Sequence, residues 1–208
     1  MPRILGRAIP ARDAAAHATT VSLGSVTDNP VYIAPGMPGN DDTRFPNGRV
    51  LSNGGYQNGM ATPALDDLAA SWADLCTLAD REAAKLLDGK VSLLPDYLRD
   101  GPEDPRELIP LPMVAVGYGE QARHAAQRTF LPGAESGGFG QNDVGATTFI
   151  AWQKENVAGH SLDGCLAVLG LIAVEAFAVT KRSVPPALQA RHDFIRRHVP
   201  PIVALRAL

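Results

Sequence analysis

The chain has 208 residues, 45% hydrophobic and 20% charged, with a formal net charge of -3 and a pI near 5.9. That balance allows a real core and excludes an intrinsically disordered type. It gives no electrostatic reason to expect nucleic acid or an anionic membrane as a partner.

Length points to one domain or one lobe of a larger assembly. Cys76 and Cys165 lie in helix-like apolar patterns and read as reduced, buried thiols. This favours a cytoplasmic location over a disulfide framework. The opening Met1-Pro2-Arg3-Ile4-Leu5-Gly6 holds no run long enough for a signal h-region. The most apolar stretch, Cys165 to Val179, is shorter than the ~20 residues a spanning helix needs and carries Glu175, so a buried helix is expected.

In chain order, residues 3–23 mix alanines with larger apolar groups, as a helix that Pro10 kinks or restarts. Thr27-Asp28-Asn29-Pro30 is a turn, because Asp and Asn bond their own backbone and the residue before proline leaves the α region. A short apolar stretch, Val31 to Ile33, leads into a Gly-, Pro- and Asn-rich loop at 34–62. A helix over 63–88 follows, with Thr62 as cap, Pro63 in its first turn and Gly89 as its stop. Leu65, Leu68, Ala69, Trp72, Leu75, Cys76, Ala79, Ala83 and Leu87 form its apolar stripe. Asp66, Asp67 and Asp74 are placed mostly off that stripe.

Residues 95–112 hold five prolines and read as a connector. A second helix is expected over Val114 to Phe130, weakened by Gly117 and Gly119, and a loop over 131–142. From about Asp143 to about Lys181 the chain reads as a long helix, apolar on nearly every face in its second half. Pro185 and Pro186 open a last amphipathic helix that ends near Val199. The strand signal is minimal. The expected fold is all-α, a single helical domain over residues 1–208 built as a long-helix bundle. A helix apolar all round needs more neighbours than one chain of this size supplies, so assembly with other chains is expected.

Four motifs in order carry a resemblance. Leu51-Ser52-Asn53-Gly54-Gly55-Tyr56-Gln57-Asn58-Gly59, followed by Asp67 in the long helix, resembles the Ser-Gly-Gly-Asn-Phe-His/Gln-Gly stretch of the ammonia-lyases. Gly140-Gln141-Asn142-Asp143-Val144 resembles their Asn-Gln-(Glu)-Asp loop before a long central helix. Thr27-Asp28-Asn29-Pro30 is similar to a family turn, and Pro2-Arg3-Ile4-Leu5-Gly6 to the segment opening the helix before it. The chain thus resembles the C-terminal half of the histidine, phenylalanine and tyrosine ammonia-lyases and aminomutases.

That family uses a methylidene-imidazolone electrophile (MIO, 4-methylidene-imidazol-5-one) formed from an Ala-Ser-Gly triplet, with a tyrosine base and a carboxylate-binding arginine. No Ala-Ser-Gly occurs here, and Glu135-Ser136-Gly137-Gly138 lies in the wrong place for it. The chain begins where the family's arginine-bearing segment ends. The resemblance therefore implies one subunit of a split carbon-nitrogen lyase or aminomutase, inactive alone, in a hetero-oligomer with a tetramer-like core. MIO, base and arginine would sit on an N-terminal partner chain, and the substrate would be an aromatic amino acid. The alternative is a non-catalytic scaffold or regulator that docks on a lyase.

No catalytic residue is assigned to this chain. By the resemblance, Tyr56 faces the substrate ring, and Gln57 bonds the substrate or a phenolic group. Gln141 and Asn142 reach the electrophile or the substrate amine. Local structural roles stay open for all four: a lid on the helix start for Tyr56, backbone support for Gln57, helix capping by Asn142 or Asp143. Asp28 and Asn29 read as turn formers. The five histidines (17, 124, 160, 192 and 198) show no metal-ligand spacing. Gly117-x-Gly119 follows no strand, so it makes a poor phosphate loop.

Overall fold

A computed structural model describes residues 2–25, 30–52, 59–104, 108–129 and 140–198, with backbone alone at 2, 140–146, 191, 192, 195, 196 and 198. The elements are α1 (Pro2–Leu23), β1 (Val31–Ile33), β2 (Arg49–Leu51), α2 (Ala61–Leu87), α3 (Gly89–Ser92), a one-turn 3-10 helix (Asp96–Leu98), α4 (Pro110–Ala125), α5 (Gly140–Val179) and α6 (Pro186–His198). The all-α bundle expected from the sequence is what forms, with one small hairpin added.

Helix α5 is the axis, and α2 and α4 pack along it and on each other. The buried row that faces them is Thr147, Ala151, Ala158, Ser161, Cys165, Val168, Ile172 and Ala176, with Gly170 and Val174 buried off that row. Steps of three, four and seven keep the row on one side of a helix. The facing side of α4 is small: Ala115, Gly119, Ala122 and Ala125. Short side chains there let the two backbones approach closely. Gly164 serves the same end, because a Cβ on it would lie 2.5 Å from the Tyr118 ring.

Two core clusters line the seam. One joins Ala83, Leu87, Leu98, Leu108, Ala115, Val168, Ile172 and Ala176. The other joins Ala73, Cys76, Ala79, Ala122 and Cys165. Cys76 and Cys165 are both free and fully buried, as the sequence suggested. The adjacent Cys165 thiol and burial push the Cys76 thiol above its ordinary range. The Cys165 thiol also donates to the Ala115 carbonyl, at 3.5 Å.

Several boundaries depart from the sequence expectation. The stretch read as loop over 34–62 contains β2, and its last two residues belong to α2. β2 pairs antiparallel with β1, Tyr32 opposite Val50. Three-residue strands are too short to show a period of two, and their pairing is non-local. Thr62 is not the cap of α2: Met60 holds that position without a side-chain bond. Gly89 does not stop α2 as a left-handed residue; Asp88 ends it in extended conformation. The proline-rich connector is shorter than expected, because Pro110 and Pro112 lie in the first turn of α4, where a missing N–H costs no helical bond. Pro10 does not break α1. Gly6, four residues earlier, is exposed, so water reaches the carbonyl left without a donor. The 40-residue α5 also makes the Cys165 to Val179 stretch part of a longer apolar run, Thr147–Val179, long and apolar enough to cross a membrane by composition. The core helix of a bundle meets the same criterion, and α5 is packed by α2 and α4.

The hairpin loop is held by side chains. The Gly36 N–H donates to both Asp42 carboxylate oxygens at 3.0 Å, and the Asn40 amide donates to Asp42 and to the Phe45 carbonyl. Gly48 has φ +75, and a Cβ there would meet the Ile33 carbonyl at 2.5 Å. The Gly36 N–H, then the Asn40 amide, hold the Asp42 carboxyl below its ordinary 3.8. A depressed carboxylate contributes above its ordinary value and loses that contribution as pH falls through the lowered one. Acid titration followed by NMR should move the Gly36 amide with a midpoint below 3.8. A midpoint at or above the free-aspartate value would show that the contact does not form.

Candidate functional site

The first turns of α2 and the first third of α5 lie against each other. The Thr62 and Thr148 hydroxyls are 3.0 Å apart and hydrogen-bonded. One turn further along α2, Asp66 is 6% exposed. It accepts from the Thr129 N–H at 2.7 Å and from the Thr129 hydroxyl at 2.8 Å. Lys154 of α5 closes the group. Its ammonium donates to the Gln127 carbonyl at 2.7 Å and to the Thr129 hydroxyl at 3.2 Å. Next along the seam, the Trp72 indole donates to Glu155 at 2.8 Å.

This polar seam joins the first two turns of α2 to Thr129 and to the first half of α5. Residues 53–58 run into α2 two residues before Ala61, and residues 130–139 separate Thr129 from Gly140. Tyr56 and Gln57 lie outside the described residues, as do Asp28 and Asn29. Gln141 and Asn142 lie in the first turn of α5, with only their backbone described. Asn142 and Asp143 lie inside the helix Gly140–Val179 rather than at a cap position before it. The expected loop over 131–142 therefore loses its last three residues to α5. The structure brings the α2 start and the first third of α5 to one end of the bundle.

Asp66 is the residue that sequence reasoning misplaced. Asp67, the aspartate picked out by the motif, is exposed, whereas Asp66 is buried. The signal was present: Thr62, Asp66, Ala69 and Ala73 follow at steps of four, three and four, and all four are buried. An aspartate on such a ridge needs partners, and Thr129 supplies two donors. Among the described residues, no group of three His, Cys, Asp or Glu is placed to hold a metal.

The family model described as aromatic amino acid lyase matches residues 1–197. The chain belongs to the aromatic amino acid lyase family. Histidine ammonia-lyase of Vibrio cholerae is 25% identical over 201 residues, 96% of this chain and 37% of that protein. Among solved structures, tyrosine aminomutase of Streptomyces globisporus superposes with a TM-score of 0.75 at 22% identity, over 97% of this chain and 36% of that one. Histidine ammonia-lyase of Trypanosoma cruzi superposes with a TM-score of 0.70 at 16% identity, over 96% and 38%. These structures share the helical-bundle fold. The chain thus spans little more than a third of the family members it matches. The triplet Ala-Ser-Gly occurs nowhere in the 208 residues.

Proposed function

We propose that this chain is the C-terminal subunit of an MIO-type ammonia-lyase or aminomutase acting on an aromatic amino acid. The electrophile, the tyrosine base and the carboxylate-binding arginine belong to an N-terminal partner chain. The observation that carries the reading is the convergence of the two motif-bearing helix starts at one end of the bundle, joined through Thr62 and Thr148. Tyr56 and Gln57 on one segment, and Gln141 and Asn142 on the other, then form one wall that positions the substrate.

The uncovered apolar surface supports a partner. Phe149, Ile150 and Trp152 on α5 and Met113, Val114 and Val116 on α4 are all exposed. The Phe149 and Trp152 rings pack together at 5.5 Å, extending an apolar patch beside the seam. Large exposed patches of this kind mark interaction surfaces. A hetero-oligomer with a tetramer-like core would cover them, in the cytoplasm, where the two thiols stay reduced.

The test is co-expression with an MIO-bearing N-terminal lyase half. The complex should release the cinnamate-type acid, or form the β-amino acid, from at least one aromatic amino acid, and the chain alone should do neither. Gln141→Ala combined with Asn142→Ala should then lower kcat about tenfold to a hundredfold. An active complex indifferent to both alanines would instead mark this chain as a docking scaffold.

A further inference from the structure

We infer that Asp66 is a positioning residue, whose hydrogen bonds to Thr129 and, through it, to Lys154 set the α5 start against the α2 start. The inference rests on the functional reading above and assigns its geometry to one carboxylate.

Thr129 is joined to both long helices. Its N–H and hydroxyl both donate to Asp66 of α2, at 2.7 and 2.8 Å. The same hydroxyl accepts from Lys154 of α5 at 3.2 Å. A hydroxyl offers one proton and lone pairs, so it can give to the carboxylate and receive from the ammonium at once. Lys154 also grips the Gln127 carbonyl at 2.7 Å, which fixes the strand of chain leaving α4. Asp66 thus ties α2, the exit of α4 and α5 into one charge-assisted set, in a nearly closed environment.

The bulk of the bundle does not need this device. The α2–α5 seam is apolar on both sides of Asp66, through Leu65, Leu68 and Ala151 and through Ala69 and Ala158, and Asp66 is a buried carboxylate set among those contacts, in the second turn of α2. A buried carboxylate satisfied by directional donors fixes register, which apolar packing leaves loose. Four residues before Asp66 is the Thr62 contact; six before Lys154 is its partner Thr148. The two contacts together fix both the rotation and the rise of α5 relative to α2. Gln141 and Asn142 ride on that helix, so their positions follow.

The experiment uses spin labels at Met60→Cys and Phe149→Cys in the full chain. Both parent residues are exposed, and the two native thiols are fully buried, so labelling is confined to the introduced sites. Pulsed dipolar EPR should give a narrow distance distribution with Asp66 present. Asp66→Asn keeps the shape but replaces one acceptor with a donor facing the Thr129 N–H or hydroxyl, and the distribution should broaden or shift. Thr129→Ser, which retains both donors, should keep it narrow. In the active complex, unlabelled Asp66→Asn should lower kcat about tenfold or more with KM changed less than threefold. Thr129→Ser should retain the parental kcat.

An unchanged distribution in Asp66→Asn overturns the inference whatever the activity does. A broadened distribution with kcat and KM both retained overturns it too. If no MIO-bearing half yields activity with the parent chain, the functional reading fails, and the distance measurement alone still decides whether Asp66 sets the two helix starts.

Discussion

Ile172→Ala should destabilise the chain by about 2–5 kcal/mol, among the largest effects of any single truncation in the bundle. Ile172 is fully buried at the middle of the apolar half of α5. Its cluster gathers Ala83 and Leu87 from α2, Leu98 from the 3-10 turn and Ala115 from α4. Four elements therefore meet in one cluster, three of them helices packed along one another, which limits collapse into the space left behind. The transfer loss and the cavity term then add. Ile172→Val, which removes one methylene, should cost only about 0.5–1.5 kcal/mol. Against a total stability of about 5–15 kcal/mol, the alanine variant would lose a large fraction of its margin. Urea unfolding followed by circular dichroism checks it: the midpoint should fall steeply for alanine and slightly for valine, with m unchanged. Equal midpoints for alanine and parent would mean that this cluster is not the core.

Much of the fold was legible because helices announce themselves locally. The stripe from Leu65 to Leu87 and the apolar run after Cys165 gave α2 and α5 within a few residues. The misses have physical causes. Pro110 and Pro112 look like breakers until the start of α4 is known, since proline is harmful inside a helix and harmless in its first turn. The pairing of Tyr32 with Val50 joins residues far apart in the chain, which no local pattern encodes. Thr62 looked like a cap because capping is the commonest use of threonine before a helix, but here its hydroxyl reaches Thr148 across the bundle.

The site was legible in part. Motif order placed Tyr56, Gln57, Gln141 and Asn142 on two segments far apart in sequence, and the fold sets the helices that follow those segments side by side. What holds them there was invisible: Asp66 meets Thr129, in the chain just past the end of α4. A hydrogen bond between residues 63 apart leaves no periodic trace. Only the burial of Asp66 on the Thr62 to Ala73 ridge hinted that a partner existed.

Trp72 carries the second large effect, and it links stability to that same end of the bundle. It packs against two clusters, one of Ala15, Leu65, Leu68 and Ala151 and one of Ala69, Ala125 and Ala158. Gly159 faces it at close range; a Cβ there would stand 3.8 Å from the indole, an ordinary van der Waals contact. The indole N–H donates to Glu155 at 2.8 Å. Trp72→Ala should cost about 3–5 kcal/mol, because both clusters lose their shared wall. Trp72→Phe keeps most of the wall and loses the donor, which should cost about 1–2 kcal/mol. Glu155→Gln keeps an acceptor and should cost less than Trp72→Phe. The double variant should then fall short of additivity by about 0.5–1.5 kcal/mol, the signature of a pair that interacts directly. Additive losses in the denaturation cycle would mean that the indole acts by packing alone. A Trp72→Phe variant that keeps the spin-label distance between positions 60 and 149 while losing stability would separate the two roles at this seam: Trp72 holds the helices together, and Asp66 sets their register.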